Sequence, residues 1–283
     1  MDPDQTDKFP VADPGTARSS NAESGQIPDV GWSLDKGVTR ENNEDSLAAV
    51  TLNQASEAAS LAIGVYAVAD GIGGEQGGEI ASQLAVHTVV RQLMVEVAET
   101  DADLPENCRP WLESAIALAN QVVHEKGQTE NMNMGTTLVM AVVVGHDVHI
   151  ANVGDSRAYL ISPTAIHQIT HDQSLAQALV DNGTITSEQA DDHPTRNVLT
   201  QAVGSAEDVA FDLFDETLTD DESLLLCSDG LWNTLGDEEI IRIVRTAATP
   251  KAACQALVDA CKLKGARDNI AAVLVRPEPA PQN

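Results

Sequence analysis

The sequence predicts an α+β fold in which a two-layer β core is flanked by helices. Apolar runs rich in Val, Ile and Leu recur along the chain, and each has the length of a strand rather than a helix. Longer segments with apolar residues at helical spacing come in pairs. The short connection at 144–148 favours antiparallel pairing, because two antiparallel strands can be joined by a tight turn. This order of elements is typical of sheets packed between helices.

We predict one folded domain over residues 29–276. Residues 1–28 contain almost no aliphatic side chains, so they cannot bury enough apolar surface to offset the entropy of ordering. We therefore expect a disordered leader, and a short tail at 277–283. The predicted strands cover 61–69, 136–144, 148–153, 158–161, 223–227 and 270–275. The predicted helices cover 78–99, 106–126, 237–246 and 250–264.

A polar insertion at 172–203, which we call the flap, interrupts the apolar pattern. Its sequence predicts a short helix that stops at Gly183, a second helical turn and an irregular return to the core. Insertions of this kind beside a β core often act as lids or binding flaps.

The charge balance excludes several classes of function. The 283 residues include 16 Lys and Arg against 44 Asp and Glu, for a net charge of −28. Such a surface repels nucleic acids and anionic lipids, and no apolar run reaches the ~18 residues that a membrane span needs. The four cysteines lack Cys-x-x-Cys spacing and look like buried thiols of a reducing compartment. We expect a cytoplasmic protein with neither nucleic acid nor membrane as partner, in which any phosphate would be handled through a metal.

Acidic residues follow buried strands at two places. Asp70 ends an apolar run and is followed by Gly71, and Asp229 ends another run in the same Asp-Gly pattern. A third acid, Asp268, precedes the last predicted strand. Strand ends hold a carboxylate rigidly, and a glycine lets a backbone carbonyl approach a ligand closely. We expect the three acids to meet at one edge of a sheet and to supply oxygen ligands for Mg²⁺ or Mn²⁺.

A further charged element lies near the start of the predicted domain. Arg40 precedes Glu44 and Asp45, and its planar guanidinium could bind a phosphoryl group while the two acids face the cations. Two alternatives stay open here. Arg40 could form a structural ion pair with Asp35 or Glu41, and Glu44 could simply be solvated.

Six short motifs occur in one order between about residues 30 and 275. They are Arg40-x-x-x-Glu44-Asp45, Ala69-Asp70-Gly71-Ile72-Gly73-Gly74, Gly135-Thr136-Thr137, Asn152-Val153-Gly154-Asp155-Ser156-Arg157, Cys227-Ser228-Asp229-Gly230 and Arg267-Asp268-Asn269-Ile270. Together they resemble the metal-dependent serine/threonine protein phosphatases, the type 2C or PPM family, in its compact bacterial form.

The resemblance implies an αββα four-layer sandwich, with two mainly antiparallel sheets flanked by helix pairs and two Mg²⁺ or Mn²⁺ ions at one end. It implies that Asp70 bridges both ions, that Asp229 and Asp268 complete one of them, and that the Gly71 carbonyl helps to hold the other.

The same resemblance assigns the remaining charged positions. Glu44 and Asp45 are implied to act largely through metal-bound waters, and Arg40 matches the phosphate-binding arginine. A third, weaker ion is implied at Asp155 together with Asp229. For Asp155 a hairpin cap bonded to the next two residues stays an alternative.

The implied activity is hydrolysis of phosphoserine and phosphothreonine by in-line attack of a metal-bridging hydroxide, with Arg40, Asp70 and Asp229 as catalytic residues. Animal members carry a histidine where this chain has Ile72, so we expect a metal-bound water as proton donor. Phosphorylated proteins are the implied substrates and a Ser/Thr kinase the opposing enzyme, and we expect a monomer. A catalytically silent relative that binds phosphoproteins is the alternative.

The flap of this chain differs from that of other family members at its start. They often have Asp-His-Ser where this chain has Asp172-Gln173-Ser174. We predict that Asp172, Ser174 and Arg196 contact the substrate, and that the flap as a whole determines which substrates are preferred.

Two other site patterns are weaker. Gly71 and Gly73 after a strand suggest dinucleotide binding, but the third glycine of that fingerprint comes one place late, at Gly77. Cys261 and Arg267 have the Cys-x5-Arg spacing of thiol-dependent phosphatases. Here the cysteine ends a predicted helix, where the helix dipole raises rather than lowers a thiol pKa.

Overall fold

The computed structural model describes residues 28–55, 60–73, 77–99 and 104–277. The predicted leader, apart from Pro28, and the predicted tail, apart from Pro277, lie outside these residues. The strands are β1 (Asp29–Asp35), β2 (Asp45–Ala55), β3 (Ser60–Ile72), β4 (Gly135–Thr136), β5 (Leu138–Val144), β6 (Asp147–Val153), β7 (Arg157–Ile161), β8 (Ile166–Gln168), β9 (Asp212–Thr217), β10 (Ser223–Cys227) and β11 (Ile270–Arg276). The helices are α1 (Gly77–Glu99), α2 (Leu104–Glu130), α3 (Leu175–Asp181), α4 (Ser187–Asp191), α5 (Asp229–Trp232), α6 (Asp237–Thr246) and α7 (Pro250–Leu263).

The strands form two antiparallel sheets. Sheet A has the order β1-β11-β10-β7-β8 and sheet B the order β2-β3-β5-β6-β9, with β4 paired to the end of β3. Apolar side chains from both sheets form a shared core between them. Helices α1 and α2 cover the outer face of sheet B, and α6 and α7 cover that of sheet A. The predicted αββα sandwich is confirmed.

Strand β10 shows why its sequence is continuously apolar. Leu224 and Leu226 face the core between the sheets, whereas Leu225 faces the helices on the other side. Successive side chains of a strand point to opposite faces, and both faces are covered here. The strand therefore has no position at which a polar side chain would reach water.

The predicted helices are confirmed with small changes at their ends. Helix α2 is longer than the predicted 106–126, and α7 begins with Pro250 in the first turn, where proline is tolerated. The flap contains α3 and α4, separated by Gly183 in the left-handed conformation, as predicted. Among the helices described, none has the length and apolar content needed to cross a bilayer.

Two glycines allow backbone segments to touch at the end of the sandwich that holds the acidic residues. A Cβ on Gly71 would lie 2.1 Å from the carbonyl oxygen of Gly78 in α1, and a Cβ on Gly230 would lie 1.9 Å from that of Asn269. Neither contact leaves room for a side chain. The first brings the start of α1 against β3, and the second brings the loop before β11 against α5.

Replacing Gly230 with alanine is expected to lower the melting temperature by about 5–10 °C. The added methyl group would collide with the backbone of Asn269, and overpacking of this kind costs about 2–3 kcal/mol. The control is Gly236→Ala, because a Cβ at Gly236 meets nothing within 4 Å. Thermal denaturation in which both variants melt together would contradict the proposed close contact.

Candidate active site

A cleft of about 770 Å³ opens at one end of the sandwich. Six of its lining residues are charged: Arg40, Glu44, Asp70, Asp155, Asp229 and Asp268. The expectation that the acids meet at one edge of a single sheet is wrong. Asp70 belongs to β3 of sheet B, whereas Asp229 follows β10 of sheet A. Both sheets therefore contribute to the cleft, which lies across the end of the sandwich.

Asp70 is fixed by hydrogen bonds on both sides of its peptide unit. Its N–H donates to Thr137 Oγ1 at 2.8 Å, and its carbonyl accepts from Thr136 Oγ1 at 2.8 Å. Asp45 lies directly opposite Asp70 in the pairing of β2 with β3. Asp45 is only 4% exposed, beneath the cleft rather than in its lining.

Asp229 and Asp268 come from the two segments that Gly230 and Asn269 hold together. Asp229 opens the short helix α5, and Asn233 Nδ2 donates to its Oδ2 at 3.3 Å. Asp268 lies in the loop before β11, where its Oδ1 accepts from the Asn269 N–H at 2.9 Å. The close backbone contact thus determines the spacing of these two carboxylates.

Arg40 forms an ion pair with an acid of the site. Its Nη2 donates to Asp268 Oδ2 at 2.8 Å, while Asp35 accepts from Lys262 Nζ at 2.7 Å. The alternative in which Arg40 pairs with Asp35 is therefore wrong. The Arg40 side chain is 49% exposed, and the hydrogen bond to Asp268 raises its pKa. The guanidinium group keeps a face open toward an incoming anion.

Asn269 is a site residue whose role is not predictable from the sequence. Its Oδ1 accepts from the Glu44 N–H at 2.8 Å, and its Nδ2 donates to the carbonyls of Lys36 at 3.0 Å and Asn42 at 2.9 Å. It therefore ties the segment that carries Arg40 to the loop that carries Asp268. A buried amide beside a predicted ligand was the signal that could have identified it.

Ser228 is a second unassigned residue of this kind. Its hydroxyl donates to Asp45 Oδ2 at 2.7 Å and accepts from the Ala271 N–H at 2.9 Å. One buried hydroxyl thus connects a carboxylate of sheet B to the backbone of β11 in sheet A. Thr137 Oγ1 likewise links two segments, because it accepts from the Asp70 N–H and bonds Ser156 Oγ, in the turn between β6 and β7, at 2.7 Å.

Burial and mutual repulsion raise the pKa values of the clustered acids. Burial, followed by the charges of neighbouring acids, holds the pKa of Asp45 and of Asp70 well above the usual range. Burial and the charge of Asp229 raise the pKa of Asp155 to about 8, and burial and Asp268 raise that of Asp229 to about 6. Burial also raises the pKa of Glu44. Positive charge placed among these acids would offset this repulsion.

Two oxygen atoms show that this donor set fits a divalent cation. Asp45 Oδ1 and Asp229 Oδ1 are buried, and neither has a hydrogen-bond partner among the described residues. Carboxylates and a backbone carbonyl are the ligands that Mg²⁺ and Mn²⁺ prefer. Within the described ranges, no three acidic, histidine or cysteine side chains are arranged so that they could hold a metal ion without moving. To bind an ion, Asp268 would have to release its hydrogen bond to Arg40.

Asp155 connects the cleft to the base of the flap. It lies in the turn between β6 and β7, and its carbonyl accepts from Trp232 Nε1 at 3.0 Å. The Arg157 guanidinium stacks 3.5 Å from the centroid of the Trp232 ring. Arg157 also donates two hydrogen bonds to the Asp172 carboxylate, from Nε at 2.8 Å and from Nη2 at 2.6 Å. The side chain of Arg157 therefore serves Asp172, and the hairpin-cap alternative for Asp155 stays a prediction.

Of the three flap residues that are predicted to contact the substrate, two are buried and one is exposed. Asp172 and Ser174 are buried, and the Ser174 hydroxyl caps α3 by accepting from the Gln177 N–H at 3.2 Å. Both anchor the flap and lie outside the lining of the cleft. Arg196 is exposed and also lies outside that lining. The part of the lining that the flap contributes begins at the next residue, Asn197. Direct substrate contact by these three residues stays a prediction.

The thiol-phosphatase alternative is wrong for this fold. Cys261 is fully buried near the end of α7, and burial raises its pKa to about 12. A thiol that stays protonated and hidden cannot act as a nucleophile.

Without divalent cations, the protein is expected to lose stability as the pH rises from 5.5 to 8. The folded state keeps protons on Asp155 and Asp229 at pH values where unfolded aspartate, with a pKa of 3.8, has released them. The folded state then binds more protons than the unfolded state, so the free energy of unfolding falls with pH. We expect the melting temperature in chelator to fall by about 5 °C, which corresponds to about 1–2 kcal/mol.

Mn²⁺ should raise the melting temperature more at pH 8 than at pH 5.5, and Asp155→Asn should flatten the pH dependence in chelator. Asp221→Asn, a change at an exposed acid, is the control. A melting temperature in chelator that rises between pH 5.5 and 8 would contradict the buried, repelling arrangement.

Replacing Arg157 with lysine is expected to loosen the base of the flap. Lysine keeps the charge but loses both the two-pronged grip on Asp172 and the stack on Trp232. We expect a fall in melting temperature of about 5 °C and faster proteolysis within 172–203. Arg242→Lys, which alters an exposed ion pair to Glu239 at 3.6 Å, should shift the melting temperature by about 1 °C or less. Equal effects of the two variants would argue against an anchoring role.

Comparison with known proteins places the chain in a family. Residues 38–264 match the family described as protein phosphatase 2C. Serine/threonine phosphatase stp of Listeria monocytogenes is 35% identical over 244 residues, which covers 85% of this chain and 92% of the relative. The crystal structure of serine/threonine phosphatase Stp1 from Staphylococcus aureus has a TM-score of 0.80 at 32% identity and covers 93% of this chain and 100% of that one. A structure of the catalytic domain of the phosphatase PstP in complex with two manganese ions has a TM-score of 0.75 at 28% identity. It covers 89% of this chain and 99% of that one. The chain therefore belongs to the protein phosphatase 2C family, the PPM group of metal-dependent serine/threonine protein phosphatases.

Proposed function

We propose that this protein hydrolyses phosphoserine and phosphothreonine in other proteins with the help of Mg²⁺ or Mn²⁺. The observation that carries the proposal is the convergence of Asp70, Asp229 and Asp268 with Arg40 at one cleft, from segments far apart in sequence, with Asp45 buried beneath them. Both the family and the manganese complex of the related PstP support it.

The residues that would hold two ions are Asp70, the Gly71 carbonyl, Asp229 and Asp268, with Glu44 and Asp45 beside them. Asp155 and Asp229 would hold a third. When bound, the ions would activate a water as nucleophile near neutral pH and neutralise the negative charge of the phosphate.

Arg40 is the residue of the chain that binds the phosphate directly in this proposal. Among the described residues that line the cleft it is the only Lys or Arg, and its half-exposed guanidinium can donate two parallel hydrogen bonds to phosphoryl oxygens. Asp268 holds the group at the rim of the acidic cluster. Because Asp268 would release Arg40 on binding an ion, substrate orientation in this proposal depends on the guanidinium group of Arg40 itself.

Proton delivery to the leaving oxygen falls to water in this proposal. Ile72 occupies the position where animal members carry a histidine, and the described lining of the cleft contains no histidine, cysteine or lysine. The acids of the cleft surround the ion site, so solvent is the remaining donor.

We also propose phosphorylated proteins as substrates, a Ser/Thr kinase as the opposing enzyme, a cytoplasmic location and a monomeric state. The net charge of −28 supports the expectation that neither nucleic acids nor anionic membranes are partners.

The test is release of phosphate from a phosphothreonine peptide with Mn²⁺, with excess chelator, and with the Asp70→Asn variant. We expect chelator to abolish release. Asp70→Asn should reduce kcat/KM by more than about 100-fold, because loss of a direct ligand exceeds the effect of losing a supporting residue. Asp221→Asn, at an exposed position, should keep full activity.

Turnover that survives both chelator and Asp70→Asn would reject the metal mechanism. Binding of the phosphopeptide and Mn²⁺ without any turnover would instead favour the catalytically silent alternative.

A further inference from the structure

We propose that the flap's last segment, residues 197–202, here called the return arm, forms with Ile72 a rim that selects phosphorylated sites flanked by aliphatic rather than acidic residues. This inference rests on the proposed phosphatase function and goes further by naming the substrate class.

The lining of the cleft contains two chemically different groups of residues. Six are the charged residues of the site, whereas the whole return arm, together with residues 71–73 and 133–135, is uncharged. Ile72 is 40% exposed and Val198 is 49% exposed, although each is a large apolar side chain. The described surface has nine such exposed side chains, and two of them line this one cleft. Apolar side chains that rim a functional cleft point to a ligand with apolar groups.

Backbone hydrogen bonds fix the return arm in place at both ends. Near its start, the Leu175 N–H donates to the Val198 carbonyl at 2.7 Å, and the Thr200 N–H donates to the Gln173 carbonyl at 2.8 Å. Just beyond its end, Val203 and Thr136 exchange N–H to carbonyl bonds at 2.8 and 3.0 Å. The arm is thus part of the scaffold.

The arm is also tied to the residue at the centre of the acidic cluster. Thr136, which pairs with the residue after the arm, donates its hydroxyl to the Asp70 carbonyl at 2.8 Å. The separation between Val198 and the acidic cluster is therefore set before a substrate arrives. A preformed surface loses little entropy when a peptide binds to it.

Charge disfavours acidic neighbours of the phosphorylated residue. The described lining has five acids but one cation, Arg40, which the phosphate itself would engage. The return arm itself has no lysine or arginine, and Arg196, the residue before it, lies outside the lining of the cleft. Bound ions would offset the acids of the lining, but the net charge of −28 would still repel a flanking carboxylate, whereas a flanking Val, Ile or Leu would meet Val198 and Ile72.

The test compares two phosphothreonine peptides that are identical except that the residues next to the phosphothreonine are Val in one and Glu in the other. With Mn²⁺, the wild-type protein is expected to prefer the Val peptide by at least about tenfold in kcat/KM. Val198→Lys should change the ratio of the two kcat/KM values by about tenfold toward the Glu peptide. A ratio is insensitive to the fraction of folded enzyme.

The matched control is Val95→Lys. Val95 is also an exposed valine, at 43%, and it lies in α1 about 27 Å along the helix from Gly77. The substitution adds the same charge away from the cleft and should leave the ratio unchanged.

Equal kcat/KM values for the two peptides in the wild-type protein would overturn the inference, as would a Val198→Lys ratio no different from that of Val95→Lys. A small aryl phosphate, too short to reach the arm, separates the two levels of the proposal. If the aryl phosphate is hydrolysed but the two peptides are not distinguished, only the proposed selectivity of the rim is overturned. If neither the aryl phosphate nor the peptides are hydrolysed, the proposed function is overturned as well.

Discussion

Repulsion among buried carboxylates is the constraint on which the rest of the site depends. Asp45, Asp70, Asp155 and Asp229 lie close enough for burial and neighbouring charge to raise the pKa of each. The fold holds them against this electrostatic cost by placing them on paired strands and on backbone segments in direct contact. Relief of this repulsion would favour the binding of positive charge at the site.

Neutral polar side chains and one ion pair hold this arrangement together. Asn269, Ser228 and Thr137 satisfy backbone groups and carboxylates from both sheets without adding charge, and hydrogen-bonded neutral groups are tolerated when buried. At the base of the flap the charged pair of Arg157 with Asp172 has the same task. The flap thus has a firmly anchored base and a return arm bonded to the scaffold.

Exposure to solvent determines which strands can be predicted from the sequence. All six predicted strand segments are confirmed, and they contain the interior strands β3, β5, β6, β7, β10 and β11. The strands that the sequence did not predict are β1, β2, β8 and β9, which are the four edges of the two sheets. Interior strands are covered on both faces and read as continuous apolar runs. Edge strands mix polar and apolar residues because one side meets water, so their pattern resembles that of loops.

The residue types that line the cleft can be read from the sequence alone. Carboxylates at strand ends, glycines beside them and a single arginine are local patterns, and local patterns are readable along the chain. The packing of the two sheets adds what the sequence does not contain: the acids come from both sheets, Asn269 binds the Glu44 backbone across 225 positions, and Arg157 pairs with Asp172 at the base of the flap. Partners of this kind meet because two sheets pack face to face, and no local spacing encodes which surfaces will touch.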